Sequence, residues 1–181
     1  MRRIRRARHL DAAPIAKVYV DTWRSIYAGL LPDRVLLDMS YRSSAAYWTR
    51  AMIVGAGLHG VHVAEETGRV VGFASCGLSR ERRLPYAGEV YTLYVLDDHQ
   101  GAGLGRELLL ACFKDLLERG MSSALVWVLA DNPARFFYEA MGGKRIAERE
   151  EKMWGTSLSE AAYGWPDTRN AFARRRFSST L

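Results

Sequence analysis

Gly101, Gly103 and Gly105 fall at alternate positions in Glu89–Gly105, EVYTLYVLDDHQGAGLG, between a β-like run (Val90 to Leu96) and a helical one. A strand that feeds a glycine loop into a helix start points backbone N–H groups at one spot, where the helix dipole also favours an anion. Glycines let the main chain approach a ligand without Cβ clashes, and the N–H groups of residues 101–106 supply donors. The pattern predicts a phosphate-bearing ligand held on backbone; the plainer alternative is a glycine turn that only joins strand to helix. No Gly-Lys-Ser/Thr follows, so a P-loop is excluded. The element ends a β-meander instead of opening the first βαβ unit, which disfavours a dinucleotide site. Glu89 starts this strand, and Tyr91 shares its face by two-residue alternation. Cys76 and Cys112 stand in apolar surroundings with no nucleophile context, and both read as packing residues. His59 and His62 lack a convincing metal-ligand set, so no metal is expected.

The elements around the loop follow from periodicity. Arg2 to Arg8 reads as a short first strand. Asp11 is placed to cap a helix with Pro14 in its first turn. Ile15, Val18, Tyr19, Thr22, Trp23 and Ile26 give that helix one apolar face, and Gly29 and Pro32 end it. Helical segments follow from Pro32 through Met39 and from Ser43 to about Val54, bounded by Gly55 and Gly57. His59–Glu66 and Val70–Leu78, joined through Gly68, predict a hairpin. Leu104, Leu108, Leu109, Cys112 and Leu116 form one stripe of a helix that Gly120 closes. Ala124–Leu129 is apolar throughout, as in a strand covered on both faces. Asp131 or Asn132 caps a further helix that offers Phe136, Phe137 and Met141 for burial. Two late strands, about Lys144–Lys152 and Leu158–Gly164, complete the pattern, either within one chain's sheet or by pairing across a homodimer.

The chain has 181 residues, 49% hydrophobic and 25% charged, enough for one domain with a real core. No apolar run reaches the ~18 residues of a membrane span, and the basic start lacks the apolar core of a signal peptide. Two widely spaced cysteines fit free thiols in a reducing cytoplasm. The net charge of +6 belongs to the ends: removing the nine basic and one acidic residues of 1–8 and 167–181 leaves 17 basic against 19 acidic. Residues 167–181 therefore read as a basic, solvated tail behind a domain of residues 1–166, with binding of an acidic partner or RNA as the rival reading.

In this order the pieces resemble the GNAT superfamily of acyl-CoA-dependent N-acetyltransferases. Gln100-Gly101-Ala102-Gly103-Leu104-Gly105 fits that family's Q/R-x-x-G-x-G/A loop, between a Tyr94-Val95 strand end and an amphipathic helix. Asn132-Pro133-Ala134-Arg135-Phe136-Phe137-Tyr138-Glu139-Ala140-Met141-Gly142 is similar to its N-x-x-A-x-x-F-Y-E-x-x-G segment. Weaker likeness reaches the first helix and the late AAYGW strand. Gln100 stands where arginine is frequent, and Gly143 follows Gly142 where an aromatic often does.

The resemblance implies an α/β fold with a mixed, largely antiparallel sheet flanked by helices, splayed at one parallel pair to admit acetyl-CoA. Leu93, Tyr94 and Val95 would pair with the pantetheine arm, with a backbone N–H near Leu93 polarising the thioester. Gln100, Gly101, Ala102, Gly103, Leu104, Gly105 and Arg106 would hold the pyrophosphate, and Asn132 and Phe137 would line the arm; Asn132 also suits a helix cap. Tyr138 aligns with the tyrosine that protonates the departing thiolate, against a purely packing role beside Phe137. Glu89 sits where some members place a general base acting through water, against a solvated strand-end carboxylate. Tyr91, Trp23 and Tyr27 would line the acceptor pocket, core burial being the stronger reading for Trp23. The implied activity is direct transfer of acetyl to an amine in a ternary complex. The acceptor would be a small molecule, or a protein or RNA steered by the arginine-rich ends. The non-enzymatic alternative is an acyl-CoA sensor; the presence of both Glu89 and Tyr138 argues against it.

Overall fold

A computed structural model describes residues 1–54, 59–153 and 155–173. The predicted stop at Gly55 and Gly57, and Arg174, Arg175 and Arg176 of the tail, lie outside the described residues. Seven strands form one sheet in the order β1-β2-β3-β4-β5-β7-β6. In chain order they are β1 (Arg2–Arg6), β2 (His59–Glu66), β3 (Arg69–Leu78), β4 (Gly88–Val95), β5 (Ala124–Leu129), β6 (Lys144–Met153) and β7 (Thr156–Trp165). The helices are α1 (Ala12–Ile26), α2 (Asp33–Leu37), α3 (Tyr41–Val54), α4 (Leu104–Glu118), α5 (Ala134–Ala140) and α6 (Arg169–Ala173). None of the described helices is long and apolar enough to cross a membrane.

Every neighbouring pair is antiparallel except β4 and β5, which run parallel and pair only at Gly88–Ala124 and Glu89–Leu125. Each of the two is paired on its outer side, β4 with β3 up to Val95 and β5 with β7 along its whole length, so the missing pairing lies between them. Beyond Glu89 the facing edges of β4 and β5 therefore separate. The late strands complete the chain's own sheet, with β6 at one edge and β1 at the other.

Two layers of helix cover the sheet. The predicted stripe of α4, Leu104, Leu108, Leu109, Cys112 and Leu116, is at most 1% exposed and packs on one face. Burying each such leucine contributes on the order of 1.5–3 kcal/mol. On the other face α1 places Ile15 and Val18 against Trp48 of α3 and Phe73 of β3. The tail is not all solvated: Thr168 donates its N–H to the Ser122 carbonyl at 2.8 Å, and Ala171 is buried against the α4 side of the core.

Several local expectations shift. β4 begins two residues before Val90, and Leu96 leads into a 3-10 turn at Asp97–His99. Asp11 stands at the α1 start without capping it, because its carboxylate takes the Arg5 guanidinium at 2.7 and 2.8 Å and the Arg8 N–H at 2.7 Å. Asn132, not Asp131, caps α5, its Oδ1 accepting the Ala134 N–H at 2.9 Å. Phe136 is 58% exposed, since the short α5 turns Tyr138 inward and leaves Phe136 under the Arg135 guanidinium.

Candidate functional site

The glycine loop has the backbone geometry that an anion cradle requires. Gly101 and Gly103 adopt φ of +74° and +83°, a left-handed backbone that an L-residue holds only at a cost. Gly103 is the residue from which α4 starts, so the first N–H groups of the helix lack intrahelical acceptors and converge at its mouth. Leu104 is buried, which leaves its backbone as the part available to a ligand. Gln100 buttresses the loop, its amide donating to the Val95 carbonyl and to Asp97, each at 3.0 Å. Arg106 is half-buried in the first turn of α4. Arg2, which periodicity assigns only to a strand, reaches across to the cradle. Its guanidinium donates to the Ala102 carbonyl at 2.6 Å and to Glu107 at 2.9 Å, fixing the loop from outside.

The cradle stands at the open end of the β4–β5 gap. One β4–β3 irregularity matters here: Ser75 faces Thr92 while Cys76 faces Val90, so Tyr91 is an extra, bulged residue. The bulge reverses the alternation beyond it. Leu93 thereby turns toward Gly105 and the α4 side, and Tyr94 turns toward Phe73 and α1. The β4 edge from Val90 to Val95 and the β5 edge from Val126 to Leu129 are not bonded to each other. Their inner N–H and C=O groups can take an extended ligand carrying amides of its own, as a third strand would.

Phe137 and Tyr138 close one wall. Phe137 lies 3.5 Å from the point where a Gly105 Cβ would stand. Tyr138 is 5% exposed, ringed by Phe137, Tyr163 and Trp165. Burial, then the Tyr27 and Cys112 groups, hold its phenol well above the usual tyrosine range, so it is protonated throughout the neutral range. Among the described residues its hydroxyl makes no hydrogen bond. The opposite wall is aromatic. Trp23 donates its indole N–H to the Tyr94 hydroxyl at 3.0 Å, and burial raises the phenol of Tyr27, which neighbours Tyr94 and Asn132. The Trp23 and Tyr27 rings pack tilted, with centroids 4.7 Å apart. Asn132, 5% exposed, thus combines its capping oxygen with a contact to Tyr27.

Glu89 is not a solvated carboxylate. It is 1% exposed, and Arg80 holds both oxygens: the Arg80 backbone N–H reaches Oε2 at 2.8 Å, while Nε and Nη2 reach Oε1 at 3.1 and 2.5 Å. The guanidinium also lies 4.5 Å over the Tyr91 ring. Tyr91 donates its hydroxyl to the Leu78 carbonyl at 2.6 Å, and burial, then Glu89, push its phenol up to about 12. Arg80 is absent from the sequence-derived set because a lone arginine in a charged loop carries no local signal.

A second cluster went unseen for a similar reason. His62, Cys76 and Asp115 bring potential ligand atoms within 4.8 Å of one another. His62 Nε2 is 2.9 Å from Asp115 Oδ2, and Arg119 donates to Oδ1 at 2.6 Å. The Cys112 thiol and His62 lower the Cys76 thiol below its ordinary range. Both cysteines are fully buried, as expected of packing residues, but Cys76 packs against a polar pair. Each oxygen of the carboxylate already has a partner, His62 on one and Arg119 on the other, and the group reads as a structural network joining α4 to β2 and β3.

Residues 21–143 match the Acetyltransferase (GNAT) family. The uncharacterised N-acetyltransferase YuaI of Bacillus subtilis (strain 168) is 39% identical over 165 residues, covering 91% of this chain and 92% of YuaI. Among solved structures, an N-acetyltransferase from Staphylococcus aureus Mu50 superposes with a TM-score of 0.72 at 20% identity, over 93% of this chain and 99% of that one. YncA from Salmonella typhimurium, determined with its cofactor acetyl-CoA, gives 0.68 at 24% identity, over 93% and 94%.

Proposed function

The chain belongs to the GNAT acetyltransferase family and is an acetyl-CoA-dependent N-acetyltransferase, and from that premise we propose how its own residues divide the work. The observation that carries the reading is the β4–β5 gap: pairing ends at Glu89–Leu125, and the cradle of Gly101–Gly105 opens at its mouth. The residues present fit acetyl-CoA, which supplies the acetyl group as a thioester. The N–H groups of residues 101–106 take its pyrophosphate, aided by the α4 dipole. The free edge of Leu93, Tyr94 and Val95, with Asn132 and Phe137 beside it, takes the pantetheine amides. A β4 N–H near Leu93 stabilises charge developing on the thioester oxygen, an effect worth on the order of 3–4 kcal/mol in acyl-transfer enzymes.

The reaction is direct attack by an amine in a ternary complex. An alkylamine arrives protonated, with a pKa near 10, and Glu89 removes that proton through water. A carboxylate has about four lone-pair sites, and Arg80 fills three of them. As sulfur leaves the acetyl carbon, Tyr138 donates its phenolic proton to it. Trp23, Tyr27 and Tyr91 wall the acceptor side. The acceptor class favoured is a small amine. The domain is residues 1–166 with a basic tail at 167–181, and two free thiols suit a reducing cytoplasm.

Tyr138→Phe tests the central assignment. Thiol release from acetyl-CoA across an amine panel should fall about 100-fold, with CoA affinity preserved. Unchanged turnover would remove Tyr138 from the mechanism. Tight CoA binding with no transfer by the wild-type protein to any amine would favour the sensor instead.

A further inference from the structure

We propose that Arg80 is a built-in plug: its guanidinium occupies the place, between the Glu89 carboxylate and the Tyr91 ring, that the cationic head of an alkylammonium acceptor takes. This rests on the reading of Glu89 as the general base. The pair is lopsided. Glu89 is fixed on β4 and 1% exposed, whereas the Arg80 side chain is 66% exposed at the start of a surface loop. Among the described residues, the three hydrogen bonds that Arg80 donates all go to Glu89. The loop does not depend on the guanidinium for closure, because Ser79 donates its N–H to the Ala87 carbonyl at 2.9 Å.

The bonds also divide usefully between the two oxygens. Oε2 is held by the Arg80 backbone N–H, which stays when the side chain swings out. Oε1 is held only by the side chain, through Nε and Nη2. Departure of the guanidinium therefore uncovers one oxygen of a carboxylate that remains anchored by the other. The Tyr91 ring is fixed for the same task. Its hydroxyl is tied to Leu78, and His59 packs edge-on at 5.3 Å, so the ring face stays presented to whatever cation replaces Arg80. A buried carboxylate beside an aromatic face recognises a positive charge with an apolar stem. An acceptor that binds there delivers its ammonium proton to Oε1, directly or through water, in the act of displacing the plug.

The test separates binding from turnover. Methylguanidinium chloride, with neutral methylurea as its isostere, is titrated by ligand-observed NMR into the wild-type protein, Arg80→Ala and Arg80→Ala/Glu89→Gln. Arg80→Gln serves as a second variant that keeps most of the side chain, and CoA affinity reports an intact fold. Methylguanidinium should bind Arg80→Ala about tenfold more tightly than wild type, methylurea should show no gain, and Glu89→Gln should abolish the gain. Acetyl transfer to n-butylamine should improve in Arg80→Ala through a lower KM. Equal methylguanidinium affinity in the wild-type protein and both Arg80 variants, with CoA binding intact, would overturn the plug. A binding gain with transfer across the amine panel equal in Arg80→Ala and Arg80→Ala/Glu89→Gln would keep the cation site and remove Glu89 as base.

Discussion

At Gly103 a single backbone angle sets how the mouth of α4 is presented to the anion proposed there. Its φ of +83° aims the peptide into the cradle, and a Cβ there would meet only Arg2 Nη2, at 3.7 Å. Gly103→Ala therefore separates strain from steric clash. The fold should lose about 1 kcal/mol, the cost of a left-handed alanine. CoA affinity should fall more steeply, about tenfold or beyond, because relaxing φ rotates the N–H groups away from the phosphates. Calorimetric titration with CoA alongside urea denaturation reads both, and an unaltered CoA affinity would contradict the backbone cradle. Arg2 shows the complementary case. Its guanidinium looks like part of a loose basic end, yet it is spent on Ala102 and Glu107. Arg3 and Arg5 are likewise paired, with Glu65 and with Asp11 and Glu65. Three of the five arginines in residues 1–8 are thus committed to partners within the fold.

At the scale of elements, α4 carries the cradle, and its seat on β2 depends on a residue with no side chain. A Cβ on Gly60 would stand 2.0 Å from Asp115 Oδ2 and 3.0 Å from Cys76 Sγ. Asp115 cannot swing aside cheaply, since His62 and Arg119 hold both its oxygens. Gly60→Ala should cost about 3 kcal/mol, the order expected for overpacking that also disrupts a buried ion pair. The urea midpoint checks it; a loss below about 0.5 kcal/mol, the range of ordinary surface changes, would mean that α4 is not seated through this network. None of this was visible in the sequence, and the reason is physical. The stripe Leu104–Leu116, the β2–β3 hairpin and the glycine loop are legible because each is a local period or turn. Gly60 meets Cys76 only through the β2–β3 register, and Asp115 joins them only through the placement of a helix on a sheet. Arg80 finds Glu89 because the loop between them folds β4 back beside β3. The bulge at Tyr91 is of the same kind: alternation correctly joins Tyr91 to Glu89, but nothing in the pattern announces that parity changes before Leu93.

Across the whole molecule, the aromatic wall that shapes the site also sets its response to alkali. Burial is the first cause that raises the phenols of Tyr19, Tyr27, Tyr91, Tyr94 and Tyr138 above the ordinary value. In the unfolded chain a tyrosine releases its proton near pH 10. Above that pH the unfolded state binds fewer protons than the folded one, so stability falls as pH rises. Below it both states are protonated and these groups contribute no pH dependence. Each such tyrosine steepens the fall by about 1.4 kcal/mol per pH unit until its own folded pKa is reached. Tyr91 stops contributing near pH 12. Urea midpoints should be flat in this respect between pH 7 and 9 and drop between pH 10 and 12, with the phenolate absorbance of these residues appearing together with unfolding. Tyr138→Phe should make the alkaline fall shallower by one tyrosine's share, whatever it does to turnover. Phenolate absorbance that develops fully near pH 10 while the protein stays folded would show that water reaches the aromatic wall. The Tyr19–Trp23–Tyr27–Tyr94 cluster would then have to be open in solution, and with it the acceptor side proposed for the site.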